Sequence, residues 1–255
     1  MSNILSETKD GIARIEIDRP DKKNALTAAM YQAMADAIHA AEADAKVRVL
    51  LIHGKPGLFT AGNDLQDFLD HPPRDDQRPV FQFLYAISQA QKPIIAAVAG
   101  AAVGIGTTML LHCDLVYAAP NARLQLPFVN LGLVPEAASS LLLPSLIGYQ
   151  RAAELLLLGE PFSAQKARDI GLVTEVVPED QLFDTAMAQA KKLAGKPAAS
   201  LRLTKRLMKQ GQAAAVAQRI KLESGHFAER LDSPEAKEAF SAFLEKRKPD
   251  FSRFD

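Results

Sequence analysis

Short apolar segments alternate with helix-length segments up to about residue 195, and this order constrains the fold more than any other feature of the chain. In "GIARIEIDRP", Ile15 and Ile17 alternate with polar residues and the segment stops before Pro20, as in a strand with one buried face. Further strand-like segments, separated by helical ones, are "VRVLLIHG", "KPIIAAVAG", "DLVYAAP", "ARLQLP" and "LVTEVV". This order predicts parallel strands joined by helical crossovers, and therefore an α/β fold.

Helical segments dominate the end of the chain, and one is also predicted near its start. Thr27 is a candidate N-cap for a helix through "AAMYQAMADAIHAAEAD", with Leu26 and Tyr31 at the positions of a hydrophobic staple. The segments after the last predicted strand are all compatible with helix. We therefore expect two parts, an α/β core over residues 1–195 and a helical region over residues 196–255.

Composition narrows the classes of function. The 255 residues include 30 basic and 30 acidic side chains, so the formal net charge is zero and gives no reason to expect nucleic acid or an anionic membrane as a partner. Cys113 is the one cysteine, which excludes a disulfide framework and fits a reduced, cytoplasmic compartment. The first residues lack a signal-peptide pattern. Glycines interrupt the apolar runs, so we expect no membrane span. The histidines lack metal-ligand spacing, so we expect no metal site.

The stretch "AAVGIGTTMLLHCD" combines a glycine turn with the start of an apolar helix. Gly104 and Gly106 flank Ile105, but Met109 stands where a dinucleotide-binding turn needs its third glycine, and the Gly-Lys-Ser/Thr of a P-loop is absent. Backbone N–H groups exposed at such a turn can instead bind a developing oxyanion. A second small-residue loop, "FTAGNDL", precedes another helix, and the two loops could hold one thioester carbonyl between them.

The order of motifs along nearly the whole chain is similar to that of the crotonase family, the enoyl-CoA hydratase/isomerase superfamily. The segments that carry the resemblance are "RPDKKNALT", "FTAGNDLQDF", "KPIIAAVAGAAVGIGTTMLLHCDLVYAA", "LPFVNLGLVPEAASS", "ARDIGLVTEVV" and "FLEKRKPDF". The resemblance implies a spiral of ββα units that binds acyl-CoA and carries out catalysis, followed by a helical C-terminal trimerisation region that also contacts CoA. It implies acyl-CoA thioesters as substrates, a homotrimer or a hexamer built as a dimer of trimers, and no cofactor, because CoA is part of the substrate.

By motif position, the resemblance implies that the backbone N–H groups of Asn63 and Ile105 form the oxyanion hole. Family hydratases use two glutamates, and the corresponding positions here are Thr108 and Phe128. Neither side chain can accept a proton at neutral pH, whereas water addition needs a positioned base and acid, so efficient hydration is not expected. Thr108, Phe128 and Gly104 are expected to line a pocket that is drier than in a hydratase.

A different carboxylate, Glu136 in "LGLVPEAASS", is the candidate base. The segment resembles the peroxisomal-type 3-enoyl-CoA/2-enoyl-CoA isomerases, in which a glutamate at this motif position is the sole base, and implies the same double-bond shift for this chain. Pro135 suits the first position of a helix, which would place Glu136 in its first turn. The helix dipole would lower the pKa of Glu136 and apolar surroundings would raise it, so the direction of the shift stays open at this point.

The resemblance also implies contacts with CoA. The residues concerned are Lys22, Lys23, Ala25, Ala61, Asp64, Leu65, Lys248 and Phe251. For the two neighbouring lysines and the "EKRK" segment, an ordinary solvated charge run is an equally good interpretation. Asp64 is expected to order its loop through backbone amides, Asp67 to be an exposed helix residue, and "FLDHPPRDDQRPVFQFLYAISQ" to shape the acyl pocket.

Other interpretations of the same residues stay open. Glu136 could be a solvent-facing residue of a helix's first turn, and Thr107 is expected only to bond backbone groups. His112 is expected at a helix end near the core, and Cys113 as a buried small hydrophobic residue rather than a nucleophile. For the whole chain, the alternatives are another crotonase chemistry, such as hydration or a lyase reaction, and acyl-CoA binding without turnover.

Overall fold

The computed structural model describes residues 3–70 and 78–254. Its strands are β1 (Ile4–Lys9), β2 (Ile12–Ile17), β3 (Val49–Gly54), β4 (Ile94–Val98), β5 (Ala101–Val103), β6 (Leu115–Ala118), β7 (Arg123–Gln125), β8 (Phe162–Ser163) and β9 (Glu175–Val176). Its helices are α1 (Ala28–Ala43), α2 (Leu65–Asp70), α3 (Pro79–Gln89), α4 (Ile105–Thr108), α5 (Ser139–Ile147), α6 (Tyr149–Leu158), α7 (Ala164–Asp169), α8 (Glu179–Ala194), α9 (Ala198–Leu231) and α10 (Pro234–Leu244). Residues 71–77, part of the segment predicted to shape the acyl pocket, lie outside the described residues.

A six-stranded sheet forms the centre of the fold, in the order β1-β2-β3-β4-β6-β9. Neighbouring strands from β2 to β9 are parallel, which confirms the prediction made from the strand–helix alternation. β1 pairs antiparallel with β2, and the sequence pattern does not predict it. Only Ile4 of the β1 residues is buried, so this edge strand lacks the apolar alternation by which strands are recognised.

Both faces of the large sheet are covered. Leu50 and Ile52 of β3 belong to the core cluster that includes residues of α1 and α3. Val49 and Leu51, on the other face, belong to the cluster that includes residues of α8. Burial of both faces explains why β3 has a continuous apolar run rather than an alternating one.

A second sheet, in the order β5-β7-β8, positions the glycine turn and the residues after it, residues 104–108, which we call the elbow. The chain passes from β4 to β5 through Gly100, which has a φ of +61° and leaves no room for a side chain, because a Cβ would lie 2.2 Å from the Gly57 carbonyl oxygen. β5 pairs parallel with β7, and β7 pairs antiparallel with β8. β7 lies within the predicted strand "ARLQLP", whereas β8 has only two residues and shows no pattern of its own.

The first helix begins where the sequence predicts. The Thr27 hydroxyl oxygen accepts a hydrogen bond from the Met30 backbone N–H at 3.3 Å, so Thr27 is the N-cap of α1. A second cap comes from α2, because Asp67 Oδ2 accepts from the Ala28 N–H at 2.7 Å. The expectation that Asp67 is an exposed helix residue is therefore wrong: its carboxylate is half-buried and satisfies an orphan donor of another helix.

Helices make up the chain after β9, in agreement with the expected helical C-terminal region. α8 packs on the large sheet, and the long α9 contacts α3, α5 and α10. α9 has 34 residues, but its buried residues are only Lys205, Ile220, Glu223 and Phe227, so one chain covers little of its surface. Within residues 3–70 and 78–254, no helix has the combined length and apolar content needed to cross a membrane.

Candidate active site

A cavity of about 590 Å³ lies between the two small-residue loops, the segment after β7 and the C-terminal helices. The predicted site residues that line it are Lys22, Lys23, Ala25, Ala61, Asn63, Asp64, Leu65, Gly104, Phe128 and Glu136. Aromatic side chains that also line it are Phe68, Phe227, Phe240 and Phe243. The structure thus brings together most of the residues selected from the sequence, in a largely apolar cavity with a few polar groups, as is usual for ligand sites.

Backbone hydrogen bonds join the loop that contains Lys22 and Lys23 to the loop that contains Asn63. The Ala61 N–H donates to the Lys23 carbonyl at 3.0 Å, and the Leu26 N–H donates to the Gly62 carbonyl at 2.8 Å. These bonds place both loops on one wall of the cavity, although 37 residues lie between Lys23 and Ala61 in sequence.

Asp64 orders this wall, as predicted. Its Oδ1 accepts from the backbone N–H groups of Gln66 and Asp67 at 3.1 Å each, and its Oδ2 forms an ion pair with Arg19 at 2.6 Å. Partial burial acts to raise the pKa of Asp64, but Arg19 and the backbone donors outweigh it and hold the pKa below its ordinary value. The Asp64 carboxylate is therefore ionised and fully engaged, which suits a structural role rather than proton transfer.

The two predicted oxyanion donors lie at the ends of the two loops. Gly104 lines the cavity with a φ of +57° and immediately precedes α4, so the Ile105 N–H is the first of that helix. Within the part of the chain that the structure describes, neither the Asn63 N–H nor the Ile105 N–H donates a hydrogen bond. Ile105 is fully buried and is not among the residues that line the cavity, whereas the preceding Gly104 is, so the role of the Ile105 N–H stays a prediction.

Glycines let the loop and the elbow pack directly on each other. A Cβ on Gly62 would lie 2.8 Å from the Val103 carbonyl oxygen, and a Cβ on Gly106 would lie 2.8 Å from Thr60 Cγ2. Thr60 also forms a parallel bridge with Ala102, which fixes the two segments side by side. The two candidate donors are thereby held on segments in direct contact.

Glu136 lies in a loop, not in the first turn of a helix, and that prediction is wrong. The chain continues after Glu136 through Ala137 and Ala138, which have φ values of +59° and +57°, and α5 begins only at Ser139. Left-handed residues cannot continue a right-handed helix, so Pro135 is not at a first helical position. The helix dipole therefore contributes less at Glu136 than a first-turn position would imply.

The electrostatic surroundings of Glu136 differ from those of a surface residue. The residue lines the cavity but is only 7% exposed, so the solvent-facing interpretation is wrong. Burial raises the pKa of Glu136 from its ordinary value near 4.5 to about 8, and the negative charge of Glu223 acts in the same direction. Its Oε1 has no hydrogen-bond partner among the described residues. An unpaired buried carboxylate is a strong proton acceptor.

Tyr31 belongs to this site, although the sequence indicates it only as a staple residue of α1. Its buried hydroxyl donates a hydrogen bond to the Asn63 side-chain oxygen. Burial raises the pKa of Tyr31 well above its ordinary value, and the charge of Glu136 raises it further, so the phenol stays protonated. Tyr31 thus bonds to one candidate oxyanion loop and interacts electrostatically with the candidate base, which helical periodicity alone does not reveal.

The threonines of the elbow face the protein interior. The Thr107 hydroxyl donates to the Ala102 carbonyl at 2.5 Å and accepts from the Gln125 N–H at 3.2 Å, which confirms its role in bonding backbone groups. Thr108 does not line the cavity, contrary to the expectation, and all four residues of the single-turn helix α4 are buried. The aromatic ring of Phe128, at the second hydratase position, does line the cavity.

Lys248 and Phe251 lie in the tail after α10 and do not line the cavity of their own chain. Glu238 holds this tail through an ion pair with Arg247 and a hydrogen bond from the Asp250 N–H at 2.9 Å. The implied contact of Lys248 and Phe251 with CoA stays a prediction.

Cys113 is poorly suited to nucleophilic chemistry. Burial raises the pKa of its thiol to about 12, with the negative charge of Asp114 as a smaller cause, so the thiolate is scarce at neutral pH. The thiol donates a hydrogen bond to the Met109 carbonyl at 3.5 Å. Among the described residues, no group of three or more His, Cys, Asp and Glu side chains is arranged to hold a metal ion.

Comparison with known proteins identifies the family. The family pattern described as enoyl-CoA hydratase/isomerase matches residues 7–253. A probable enoyl-CoA hydratase of Bacillus subtilis is 36% identical over 245 residues, which are 94% of this chain and 95% of the relative. The rat enoyl-CoA delta isomerase 2 is 35% identical over 215 residues, which cover 82% of this chain and 55% of that longer protein.

Solved structures agree with this match. The crystal structure of an enoyl-CoA hydratase/isomerase from Pseudoalteromonas atlantica T6c is 41% identical, superposes with a TM-score of 0.94, and is matched over 98% of this chain and 100% of that one. The mixed α/β architecture with its helical C-terminal region is therefore the crotonase fold. The chain belongs to the enoyl-CoA hydratase/isomerase family, the crotonase superfamily, whose members act on acyl-CoA substrates and typically form oligomers.

Proposed function

We propose that this chain is an enoyl-CoA isomerase that converts 3-enoyl-CoA into 2-enoyl-CoA with Glu136 as its sole base. One observation carries the proposal: two carboxylates line the described part of the cavity, and only Glu136 is free to exchange a proton. The other, Asp64, is held by Arg19 and two backbone donors. A double-bond shift needs one carboxylate, whereas hydration needs a positioned acid and base.

The proposed reaction moves one proton and two electron pairs. Glu136 takes the proton from C2 of the acyl chain, and the electrons of that C–H bond form C1=C2 while the thioester oxygen becomes an oxyanion. The N–H groups of Asn63 and Ile105 stabilise the resulting dienolate, a type of contact whose loss typically costs about 2.7–4 kcal/mol of transition-state stabilisation. Glu136 then returns the proton to C4, which leaves the double bond between C2 and C3.

The raised pKa of Glu136 fits both halves of this cycle. A carboxyl group with a pKa of about 8 is a stronger base than a solvated glutamate and, once protonated, still a usable acid near neutral pH. Phe128 in place of a second carboxylate makes this wall of the cavity apolar, which disfavours attack of water on the intermediate. Lys22 and Lys23 at the rim would bind the CoA diphosphate in this proposal.

The test compares isomerisation of 3-enoyl-CoA with hydration of 2-enoyl-CoA on the same preparation. We expect the wild-type chain to isomerise faster than it hydrates, and Glu136→Gln to lower the isomerisation rate about 10²- to 10⁴-fold while acyl-CoA binding stays within a few-fold. Glu154→Gln, at an exposed ion pair with Lys166, is the matched control and should keep full activity. We also propose the homotrimer or hexamer that the resemblance implies, so light scattering should show the mass of three or six copies, and a monomer would contradict this assembly.

Three results would contradict the proposal. Proton transfer retained by Glu136→Gln would mean that another group is the base. Hydration faster than isomerisation would favour the function for which the Bacillus relative is named. Tight binding of acyl-CoA without deuterium exchange at C2 would indicate a binding protein without turnover.

A further inference from the structure

Contacts from the C-terminal helix α9 hold the segment that carries Glu136, in addition to the local bond from the Ser139 N–H to the Glu136 carbonyl at 3.0 Å. We call residues 136–140 the base loop. It contains two consecutive alanines, Ala137 and Ala138, in the left-handed region, where only glycine is free of steric cost. A conformation of this kind persists only when surrounding contacts enforce it.

Glu223 of α9 supplies the main contacts to the base loop. One carboxylate oxygen accepts from the Ala138 N–H at 2.6 Å, and the other accepts from the Ser140 N–H at 3.0 Å and the Ser140 hydroxyl at 2.6 Å. Arg219, one turn earlier on α9, donates to the same hydroxyl at 3.0 Å. One buried carboxylate therefore satisfies donors on both sides of the point where α5 begins.

A second contact to the base loop comes from His112. His112 Nε2 donates to the Ala137 carbonyl at 2.8 Å, and Lys209 of α9 donates to the His112 carbonyl at 3.0 Å. Burial lowers the pKa of His112 to about 4, and the charges of Lys209 and Lys205 act in the same direction. The imidazole ring is therefore neutral near neutral pH. The loop is thus fixed at Ala137, Ala138 and Ser140 by groups that belong to or depend on α9.

Glu223 also acts on Glu136 through its charge. Glu223 is only 6% exposed, and burial raises its pKa, while donors from Ser140 and Ala138 and the charge of Arg219 favour its ionised form. The groups shown to interact electrostatically with Glu136 are the Glu223 carboxylate and the Tyr31 phenol. A nearby negative charge makes ionisation of Glu136 less favourable and so makes Glu136 more basic.

We propose that Glu223 is a positioning residue, which holds the base loop in the conformation that presents Glu136 to the cavity and places a second negative charge beside it. The proposal rests on the proposed function of Glu136 as base, but Glu223 does not line the cavity and takes no part in the proton transfer. In this proposal, the C-terminal helix α9 helps to form the active site because it carries Glu223.

The test uses two variants, one that removes the negative charge of Glu223 and one that shortens its side chain. Glu223→Gln keeps the shape, removes the charge, and places an amide NH₂ against a backbone N–H, so we expect kcat for isomerisation to fall about 10- to 100-fold with little change in KM. Glu136 must be ionised to accept a proton. Because its pKa falls when the neighbouring charge is removed, the acid limb of the pH–kcat profile should move to lower pH in Glu223→Gln.

Glu223→Asp provides the complementary measurement. It keeps the charge but is one methylene too short to reach both Ala138 and Ser140, so kcat should fall while the acid limb stays near that of the wild type. Glu229→Gln, an exposed acid on the same helix, is the control and should change neither. If Glu223→Gln does not fold, kcat is measured for Glu223→Asp and Ser140→Ala instead. A kcat equal to that of the wild type in both variants would overturn the proposal.

A direct titration makes the result independent of turnover. NMR of protein labelled with ¹³C at the glutamate carboxyl carbons should show the titration midpoint of Glu136 at lower pH in Glu223→Gln than in the wild type. An unchanged midpoint and an unchanged pH profile overturn the role of Glu223. Failure of the proposed function would appear differently, as absent isomerisation by the wild-type chain or retained isomerisation by Glu136→Gln.

Discussion

At the scale of single residues, Glu136 shows how position within a loop decides the protonation of a carboxyl group. Burial raises its pKa and the charge of Glu223 acts in the same direction, while the left-handed Ala137 and Ala138 separate Glu136 from α5. Asp64 directly follows Asn63, the candidate donor of the other loop, and its pKa is lowered because Arg19 and two backbone N–H groups bond to it. The surroundings of Glu136 and Asp64 thus shift the pKa values of two acids in the same cavity in opposite directions.

The raised pKa of Glu136 predicts a pH-dependent cost in stability. The folded-state pKa is about 8 and the ordinary value is near 4.5, so the folded chain binds the proton more tightly and the free energy of unfolding decreases as pH rises between these values. Glu136→Gln lacks this titration. We expect its melting temperature to exceed that of the wild type at pH 8, with a smaller difference at pH 5, measured by calorimetry. A difference that does not vary with pH, or the same trend in Glu154→Gln, would contradict this assignment.

At the scale of elements, the elbow works because two segments distant in sequence touch. The φ of Gly106 is one that other residues also adopt, so glycine is needed here for space and not for backbone freedom. An added Cβ would lie 2.8 Å from Thr60 Cγ2 and 3.1 Å from the Thr60 carbonyl oxygen. Thr60 is itself fixed, because its hydroxyl donates to the Asn24 carbonyl at 2.6 Å. The neighbour cannot easily yield, so a side chain here would separate the two candidate donors.

Gly106→Ala is therefore expected to lower kcat/KM for isomerisation about 100-fold, as a displacement near 1 Å at a reacting centre can do. Circular dichroism should show that the fold is retained. Gly211→Ala is the matched control, because Gly211 lies in α9 with nothing near the added Cβ, and alanine there should increase stability by about 0.5–1 kcal/mol. Equal activity of the two variants would remove the argument that close approach at Gly106 matters.

At the scale of the whole molecule, α9 ties the helical region to the α/β core through buried polar contacts. Lys205 Nζ donates to Asp114 Oδ2 at 2.7 Å and to the Lys92 carbonyl at 2.8 Å. Asp114 in turn accepts from the Ile94 N–H at the start of β4, at 2.7 Å. The network runs from the central sheet to the helix that holds the base loop.

Lys205→Met should destabilise the protein by about 3–5 kcal/mol, because it leaves the half-buried Asp114 without its cation. Lys166→Met removes one partner of the exposed ion pair with Glu154 and should change stability by less than about 1 kcal/mol. Chemical denaturation of both variants measures the contrast. A loss for Lys205→Met no larger than that for Lys166→Met would show that this link contributes little.

Sequence alone was sufficient for the α/β class, the parallel sheet, the cap at Thr27 and ten of the residues that line the cavity. Local patterns carry this information, since apolar periodicity, capping chemistry and glycine turns are properties of short segments. β1 was not predictable in this way, because an edge strand with one buried residue has almost no pattern.

Only the tertiary structure decided how the site is assembled and how its base is tuned. The two left-handed alanines that displace α5, the burial of Thr108, and the contacts of Tyr31 and Glu223 with the site depend on residues brought together from distant parts of the chain. Electrostatic effects depend on distance in space and on burial, neither of which a local pattern records. The sequence therefore indicates Glu136 as the candidate base, and the fold determines why its carboxyl group is basic.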